Sequence, residues 1–265
     1  MTQFIEKFLR IKQFFYLIFS KKENISTCPL CKESCLSLFS NQKYRAINYK
    51  LKKCCNCDLV VQSPRLTQAS LEKYYKYNYR GKTFQGHKNS LFNRGRRRGE
   101  YINKYLLQND KNLIIDTHAV IYEVGCGYGG ILDFFKCKYK CQVYGSDIDI
   151  SINRFSQNQG LNIKQGSINV FNKGLADIVI LSHVLEHISD PVKFIREVVT
   201  LIKDSGVIYI EVPGIKNPKV INSNLGAQPG HLIYYDKDTL TKVCEKENLS
   251  VVSSNEIVQI LARKC

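Results

Sequence analysis

Residues 123–130 read Glu-Val-Gly-Cys-Gly-Tyr-Gly-Gly, and this stretch decides the fold of the chain. A strand-like run ends in the carboxylate of Glu123 and passes at once into a glycine-dense turn, which a helix-like run from Ile131 follows. Glycines keep side chains out of such a turn, and the following helix presents free N–H groups there. The stretch therefore predicts a strand, turn and helix of an α/β fold that bring a nucleotide-type cofactor close to the backbone.

The acid beside this turn indicates which ligand it holds. Gly125, Gly127 and Gly130 also satisfy the GxGxxG spacing of dinucleotide-binding proteins, so the glycines alone do not identify the ligand. A pyrophosphate would be repelled by the Glu123 carboxylate, whereas the sulfonium and ammonium groups of S-adenosylmethionine would be attracted by it. Glu123 therefore predicts a site for S-adenosylmethionine.

Two later stretches agree with that ligand. Residues 141–146 form a second strand-like run, and Asp147 follows it about 20 residues beyond the glycines, where an acid accepts hydrogen bonds from both ribose hydroxyls. The alternative for Asp147 is a cap on the next helix. Residues 176–182 are typical of a buried strand, and the later pair Asp190 and Pro191 predicts a helix start with an aspartate cap.

At these residues the sequence resembles the class I (Rossmann-like) S-adenosylmethionine-dependent methyltransferases. The resemblance rests on the EVGCGYG loop, the GSD strand end, the VLEHISDP segment and the strand over 206–213, and it covers roughly residues 110–260. It implies a doubly wound, mostly parallel sheet in an enzyme. It also implies these cofactor contacts: Glu123, Gly125 and Gly127 at the methionine end, Asp147 at the ribose, Ser167 and Ile168 beside the adenine, and the backbone of Ser182 and His183. Glu186 and His187 either start a helix or face the cofactor or acceptor.

A second motif, near the N-terminus, predicts a metal site. Two CxxC knuckles separated by 22 residues supply four cysteines: Cys28, Cys31, Cys54 and Cys57. Two such knuckles converge four thiolates on one tetrahedral ion, which indicates a structural zinc ribbon. Cys35 and Cys55 are then spare thiols, with disulfides as the alternative. The total of 11 cysteines is odd, which together with the methyl donor predicts a cytoplasmic protein.

The first residues predict an amphipathic helix. Apolar residues step by four and three along it, at Phe4, Phe8, Ile11, Phe15 and Ile18. Cations flank this stripe at Lys7, Arg10 and Lys12. The helix either packs on its own protein or a second copy, or contacts an anionic membrane. The apolar run over 14–19 is too short to span a bilayer, and no small-residue cleavage site follows it.

The charge of the chain predicts an anionic partner. The formal net charge is +16, and part of it lies in a cation cluster at Arg80, Lys82, Lys88, Arg94, Arg96, Arg97, Arg98 and Lys104. Such a cluster attracts phosphates on RNA, on an anionic lipid surface, or on a nucleotide-activated or lipid-linked sugar. The alternative is a solvated surface.

The order of motifs extends the resemblance to about residues 26–260. The chain has a CxxC ribbon that ends in Pro64 and Arg65, then a tyrosine-rich segment over 71–79, then the glycine turn. In this order of motifs it is similar to bacterial methyltransferases of the cell-surface and secondary-metabolite type. This likeness implies a small-molecule or saccharide acceptor. It divides the chain into an amphipathic helix (1–25), a zinc ribbon (26–66), a helical lid or connector (67–110) and the methyltransferase domain (111–265).

Two further hypotheses stay open at this point. The first is an RNA methyltransferase, because some ribosomal RNA guanine methyltransferases also join a zinc ribbon to this core. The sequence carries no NPPY-like motif for flipped bases and no recognisable RNA-binding module. The second is a scaffold that binds its cofactor without turnover.

The acceptor side of the reaction points to two residues. His231 follows the fifth core strand, where a loop would close the pocket over the sheet, and we expect it to be the base. The alternative is a histidine that only braces the loop. Glu211, at the end of that strand, is predicted to position the acceptor. Residues 257–262 remain for the last antiparallel strand, which predicts a short edge or one completed by a partner. Sugar C-methyltransferases that share the ribbon carry a C-terminal extension that this sequence lacks, so O- or N-methylation is favoured.

Overall fold

The structure is a computed structural model that describes residues 2–44, 47–75, 87–149, 153–215 and 228–265, with the backbone alone at 2–10 and 153–154. Its helices are α1 (Thr2–Phe19), α2 (Gln68–Tyr74), α3 (Lys88–Asn109), α4 (Gly130–Tyr139), α5 (Asn153–Asn158), α6 (Pro191–Val199) and α7 (Lys237–Glu245). Short 3₁₀ turns cover Ile168–Val170 and Leu185–His187. Its strands are β1 (Lys22–Glu23), β2 (Leu36–Tyr44), β3 (Ile47–Cys54), β4 (Val60–Gln62), β5 (Arg65–Leu66), β6 (Val120–Val124), β7 (Gln142–Asp147), β8 (Asn162–Gln165), β9 (Ala176–Ser182), β10 (Ile202–Glu211), β11 (Ile233–Tyr234), β12 (Leu249–Ser254) and β13 (Gln259–Lys264).

A seven-stranded sheet forms the centre, in the order β12-β13-β10-β9-β6-β7-β8. Strands β8, β7, β6, β9 and β10 run parallel, and β13 pairs antiparallel with β10. Residues 178–181 of β9 and 207–210 of β10 are aliphatic or aromatic and buried, as expected of strands covered on both faces. The chain leaves β6 toward β7 on one side and returns to β9 on the other, so a crevice opens at their carboxyl ends. The predicted Rossmann-like, mostly parallel sheet is confirmed.

Helix α3 packs directly on α4 through glycine. A Cβ added to Gly130 would lie 2.1 Å from the Phe92 carbonyl oxygen and 2.8 Å from the Gly95 Cα, so only glycine allows this approach. The contact fixes α3, which falls within the predicted lid or connector, against the central sheet. It also brings Arg94 and Arg98 to the crevice. The four domain boundaries themselves stay a prediction.

The N-terminal module is joined to the core by a shared sheet. Four strands pair in the order β11-β4-β3-β2, and β11 comes from the far end of the chain. Ile233 pairs with Val61, and the Leu232 carbonyl accepts from the Gln62 N–H at 3.0 Å. One apolar cluster contains Leu59 and Val61 of the module together with residues of β9 and β10. The ribbon therefore supports the segment that follows residue 228.

The last two strands complete the sheet edge. Strand β13 pairs with both β10 and β12. It begins two residues later in the chain than the predicted run over 257–262. These strands form a hairpin on the sheet, so the edge is not short in the described residues, and its completion by a partner stays a prediction.

Helix α1 has two different faces. Leu17 is buried, and the Tyr16 hydroxyl donates to the Ser70 carbonyl of α2 at 2.7 Å. The other face exposes Ile11, Phe15, Ile18 and Phe19. The predicted side chains at Phe4, Lys7, Phe8 and Arg10 lie outside the residues whose side chains are described. Among the described residues, no helix combines the length and apolar character needed to cross a membrane.

Candidate active site

A cavity of about 740 Å³ lies at the carboxyl ends of the parallel strands. The glycine turn after β6, Asp147 at the end of β7 and the segment after β9 form its floor. Residues of α2 and α3 and the loop at 228–231 form its walls. The crevice that the strand order creates is thus a partly open pocket, and two groups of its lining residues differ in character.

One end of the cavity, here the cofactor end, consists of the glycine turn with Glu123 and Asp147. The Asp147 carboxylate accepts the Gly127 N–H and the Asp149 N–H, both at 2.9 Å. Gly125 and Gly127 have φ of 70° and 54°, which side chains rarely adopt. Asp147 therefore holds the turn in shape from the neighbouring strand, and its side chain lines the cavity.

Glu123 is the most unusual group of the cofactor end. It is 2% exposed, and its Oε2 atom is buried without a hydrogen-bond partner among the described residues. Burial first, and then the charges of Asp147 and Glu211, raise the pKa of Glu123 well above its ordinary value. The raised pKa means that a cation bound beside Glu123 favours its ionised form over the protonated one. This refines the electrostatic argument from the sequence, and the unpaired oxygen fits a ligand with an ammonium group.

The other predicted cofactor contacts divide into two groups. Ser182, His183 and Ser167 line the cavity. Ile168 does not, because its apolar side chain begins a 3₁₀ turn and packs into the hydrophobic core at 8% exposure. The contact of Ile168 with an adenine stays a prediction. His183 has φ of 55°, a strained conformation for a non-glycine residue that is common at functional sites.

Glu211 lies under the cavity wall and is not among its lining residues. It is 3% exposed and accepts from Arg98 at 3.1 Å and from the Tyr209 hydroxyl at 3.0 Å. The Ser182 hydroxyl and the Gln259 amide also donate to it. The structure therefore places the predicted acceptor-positioning residue in a buried network that holds Arg98 at the cavity.

The opposite end of the cavity, here the acceptor end, contains Glu186, His187 and His231 together with Tyr75. His187 Nδ1 donates to the Gly230 carbonyl at 2.7 Å and lies 2.9 Å from the Tyr75 hydroxyl. His187 Nε2 lies 3.7 Å from Glu186 Oε1. The rings of His187 and His231 have their centroids 5.1 Å apart. We call Glu186, His187 and His231 the histidine cluster.

Burial and charge set the protonation of this cluster. Burial alone would raise the pKa of Glu186, but His187, His183 and His231 lower that pKa to about 2. Burial first, and then His187, lower the pKa of His231 to about 4. At neutral pH the cluster therefore combines an anionic carboxylate with a neutral imidazole at His231.

Sequence reasoning missed part of this end. It had named the tyrosine-rich segment without choosing Tyr75, and it left Glu186 and His187 between a structural and a functional role. Arg98 was assigned only to the cation cluster. The signal that could have found it is helical spacing, since Arg94 and Arg98 are four residues apart and share one face of α3.

The four cysteines of the CxxC knuckles lie together. Sγ atoms of Cys28 and Cys57 are 3.4 Å apart, and those of Cys31 and Cys54 are 3.5 Å apart. Thiolates around one zinc ion at about 2.3 Å would be about 3.8 Å apart, so the set fits a tetrahedral structural zinc site. We call it the ribbon site. The expectation of spare thiols at Cys35 and Cys55 is wrong, because the two form a disulfide.

The cation cluster is partly used within the protein. Arg96 pairs with Asp133 at 3.2 Å, Arg98 pairs with Glu211, and Arg94 lines the cavity. Arg80 and Lys82 lie outside the described residues. The described part of the cluster therefore serves the cavity and helix packing as well as the surface.

Comparison with known proteins gives a consistent result. A family model described as a methyltransferase domain matches residues 94–254. The chain is 26% identical over 199 residues to a ubiquinone biosynthesis O-methyltransferase of Albidiferax ferrireducens, which covers 71% of this chain and 72% of that protein. It is 35% identical over 100 residues to an ajmaline N-methyltransferase of Rauvolfia serpentina, covering 33% of this chain and 34% of that one. A structure of geranyl diphosphate methyltransferase in complex with SAM matches in fold, with a TM-score of 0.53, 12% identity, and coverage of 64% of this chain and 85% of that chain.

Proposed function

The chain belongs to the family of methyltransferase domains and is an S-adenosylmethionine-dependent methyltransferase, and on that premise we propose that it methylates an oxygen or nitrogen of a small-molecule or saccharide acceptor. The single observation that carries the proposal is the cavity, which joins the cofactor end to a buried cluster of one carboxylate and two imidazoles. Both curated relatives bear the names of enzymes that methylate oxygen or nitrogen in small molecules.

The chemistry of the donor decides what the protein must do. When bound, S-adenosylmethionine supplies a methyl group on a positively charged sulfur. Transfer forms a bond from the acceptor to the methyl carbon and breaks the carbon–sulfur bond, whose electron pair stays on sulfur. The acceptor loses a proton. The chain therefore has to align the acceptor, exclude water and receive that proton. In this proposal Asp147 and Glu123 hold the donor, and the histidine cluster faces the acceptor.

We assign His231 to the acceptor's proton. Its imidazole is neutral, lines the cavity, and is close to the Glu186 carboxylate. Burial and His187 make this imidazole a weak base, and the charge of Glu186 offsets part of that effect by favouring the imidazolium. Glu211 is proposed to act through Arg98, and Arg94 and Arg98 suit an acceptor that carries phosphate, such as a nucleotide- or lipid-linked sugar.

A labelled-methyl transfer screen tests this function. Activated sugars, lipid-linked glycans, quinol-type phenols and total RNA would be offered, with His231→Ala compared against His118→Ala, an exposed histidine that does not line the cavity. We expect transfer to a small molecule that falls by about 100-fold in His231→Ala alone, the size of a general-base effect. Equal activity of both variants would remove His231 from the mechanism. RNA as the sole acceptor would replace the proposed substrate class.

We also propose that helix α1 places the enzyme against an anionic membrane. Exposed Phe15 and Phe19 stack with centroids 6.3 Å apart, and exposed Lys12 and Lys21 lie along the same segment. An apolar face with flanking cations suits an anionic lipid surface, whereas two copies of a chain of charge +16 repel each other. This would bring a lipid-linked acceptor to the cavity.

Vesicle sedimentation tests the membrane contact. The protein should pellet with phosphatidylglycerol-containing vesicles and stay in solution with phosphatidylcholine vesicles. The double variant Phe15→Ser/Phe19→Ser should lose about tenfold in partitioning, because the buried apolar area is lost. Ile114→Ser removes an equally exposed apolar side chain outside α1 and should change nothing. Equal binding by all three proteins would contradict the proposal.

A further inference from the structure

The histidine cluster has the composition and spacing of a metal site. Glu186, His187 and His231 each offer one ligand atom, and these atoms lie within 4.8 Å of one another. The cluster is distinct from the ribbon site, which has cysteine ligands only. It is held together by backbone, because the Leu232 N–H donates to the Glu186 carbonyl at 2.8 Å and so brings the loop of His231 to the turn of His187.

The orientation of His187 is fixed by a hydrogen bond on the outer side of its ring. The Gly230 carbonyl can only accept, so Nδ1 carries the hydrogen that it receives at 2.7 Å. Nε2 lies 3.7 Å from Glu186 Oε1 and 3.5 Å from the Tyr75 hydroxyl, on the opposite side of the ring from that bond. A backbone carbonyl that orients a histidine through its second nitrogen is the usual support of a metal-binding imidazole.

The two other members of the cluster also have free lone pairs. Glu186 is 2% exposed, and its Oε2 atom is buried without a hydrogen-bond partner among the described residues. In the part of the chain that the structure describes, the ring of His231 makes no hydrogen bond. A buried carboxylate oxygen left unpaired is costly unless a cation or donor satisfies it. Glu186 Oε1 lies 3.5 Å from His183 Nδ1, so Oε2 is the carboxylate oxygen left for a cation. Three potential ligand groups, one of them with an unpaired buried oxygen, therefore come together at the cavity wall.

We propose that Glu186, His187 and His231 bind a divalent transition-metal ion. Two imidazoles and one carboxylate suit Zn²⁺, Mn²⁺ or Fe²⁺ rather than Ca²⁺ or Mg²⁺, which prefer oxygen ligands. Three protein ligands would leave coordination positions open, as in catalytic sites, and all three residues line the cavity.

This inference rests on the proposed function and narrows its substrate class. An acceptor hydroxyl that binds the ion through oxygen has a lowered pKa and gives up its proton to solvent more readily. His231 is then a ligand, and the ion takes over the part assigned to its imidazole. The acceptors that fit best are hydroxyl compounds, and above all those with two neighbouring oxygens that can bind the ion together.

Electron paramagnetic resonance with Mn²⁺ tests the site without relying on activity. Mn²⁺ disfavours thiolates, so the full-length protein with zinc in its ribbon site leaves Mn²⁺ to the nitrogen and oxygen ligands. We expect about one Mn²⁺ bound per chain, with nitrogen couplings from two imidazoles in the pulsed spectrum. Glu186→Gln and His231→Gln should each weaken binding by at least about tenfold, as loss of a metal ligand or its support does. His231→Gln should also reduce the nitrogen coupling to that of one imidazole.

Matched controls separate a metal site from a general effect of charge. Glu72→Gln removes an acid that lines the same cavity outside the cluster, and it should leave Mn²⁺ binding unchanged. Retained S-adenosylmethionine binding in each variant shows that it is folded. Absence of a saturable Mn²⁺ signal, or equal Mn²⁺ binding in Glu186→Gln and Glu72→Gln, would overturn the site.

The same experiment keeps this inference apart from the proposed function. One outcome is that no Mn²⁺ binds and that methyl transfer to a small molecule persists in the presence of a chelator. This would overturn the metal site and support the proposed function. A bound ion with its two nitrogen couplings would support the site even where every small-molecule acceptor fails, and that failure would count against the proposed acceptor alone.

Discussion

The two ends of the cavity are built in different ways. The cofactor end comes from one βαβ unit, in which Glu123, the glycine turn and Asp147 lie within 25 residues of one another. The acceptor end draws Tyr75, Glu186 and His231 from three distant segments. The first end depends on local backbone geometry, and the second depends on the N-terminal module that pairs with β11. We therefore expect that a substitution can impair acceptor turnover without changing donor affinity, and the reverse.

The ribbon site offers the strongest test of that separation. Cys57→Ser removes one of the four thiolates, and structural zinc sites supply folding free energy to their module. Because β4 of this module pairs with β11 beside His231, we expect acceptor turnover to fall by at least about 100-fold. The Kd for S-adenosylmethionine should stay within about threefold, since the cofactor end lies in a separate unit. Cys265→Ser, at an exposed cysteine, should change neither quantity. If Cys57→Ser lowered both acceptor turnover and affinity for S-adenosylmethionine, the two ends would not be independent.

The converse variant damages the cofactor end. Asp147→Ala leaves the N–H groups of Gly127 and Asp149 without their acceptor and removes the predicted ribose contact. Loss of charge-assisted hydrogen bonds should weaken S-adenosylmethionine by about 30-fold in isothermal titration calorimetry. Turnover at saturating donor should be nearly unchanged. Asp204→Asn, at an exposed surface acid, is the matched control. A fall in turnover at saturating donor would show that the two ends are coupled.

The pH dependence of donor binding sharpens the account of Glu123. Because the pKa of Glu123 is raised in the free protein, with Asp147 and Glu211 facing it, a bound cation must expel its proton. Affinity for S-adenosylmethionine should therefore rise with pH by up to about tenfold per unit below that pKa, and level off above it. Calorimetry in buffers of different ionisation enthalpy should detect the released proton, and Glu123→Gln should release none. Proton uptake by the wild type would contradict this account.

The smallest effect is expected at Tyr75. Tyr75→Phe removes a hydroxyl that lies 2.9 Å from His187 Nδ1, but the bond of His187 to the Gly230 carbonyl remains. We expect turnover to fall by about fivefold, the worth of one neutral hydrogen bond, with donor affinity unchanged. Tyr144→Phe removes a hydroxyl that donates to the exposed Gln142 side chain at the start of β7 and does not line the cavity, so it serves as control. Changed donor affinity in Tyr75→Phe would assign this residue to the cofactor end.

The cofactor end could be predicted from the sequence because each part of it has a local signature. Glycines after a strand, an acid before them and an acid at the end of the next strand follow from short-range rules. The cap of α6 is of the same kind, since Asp190 accepts from the Lys193 N–H as its sequence pattern indicated. The place of Ile168 in the hydrophobic core, by contrast, has no such local signature.

The sequence by itself determined the order of the elements, the parallel sheet and the two cysteine knuckles, since these follow from periodicity, turn chemistry and ligand spacing along the chain. Only the tertiary structure decided that Arg98 belongs to Glu211, that Cys35 meets Cys55, and that Glu186, His187 and His231 converge. The physical reason is distance along the chain. Such contacts are set by how whole layers pack and by strand pairing across more than 150 residues, as between β4 and β11, and no short stretch of sequence records them.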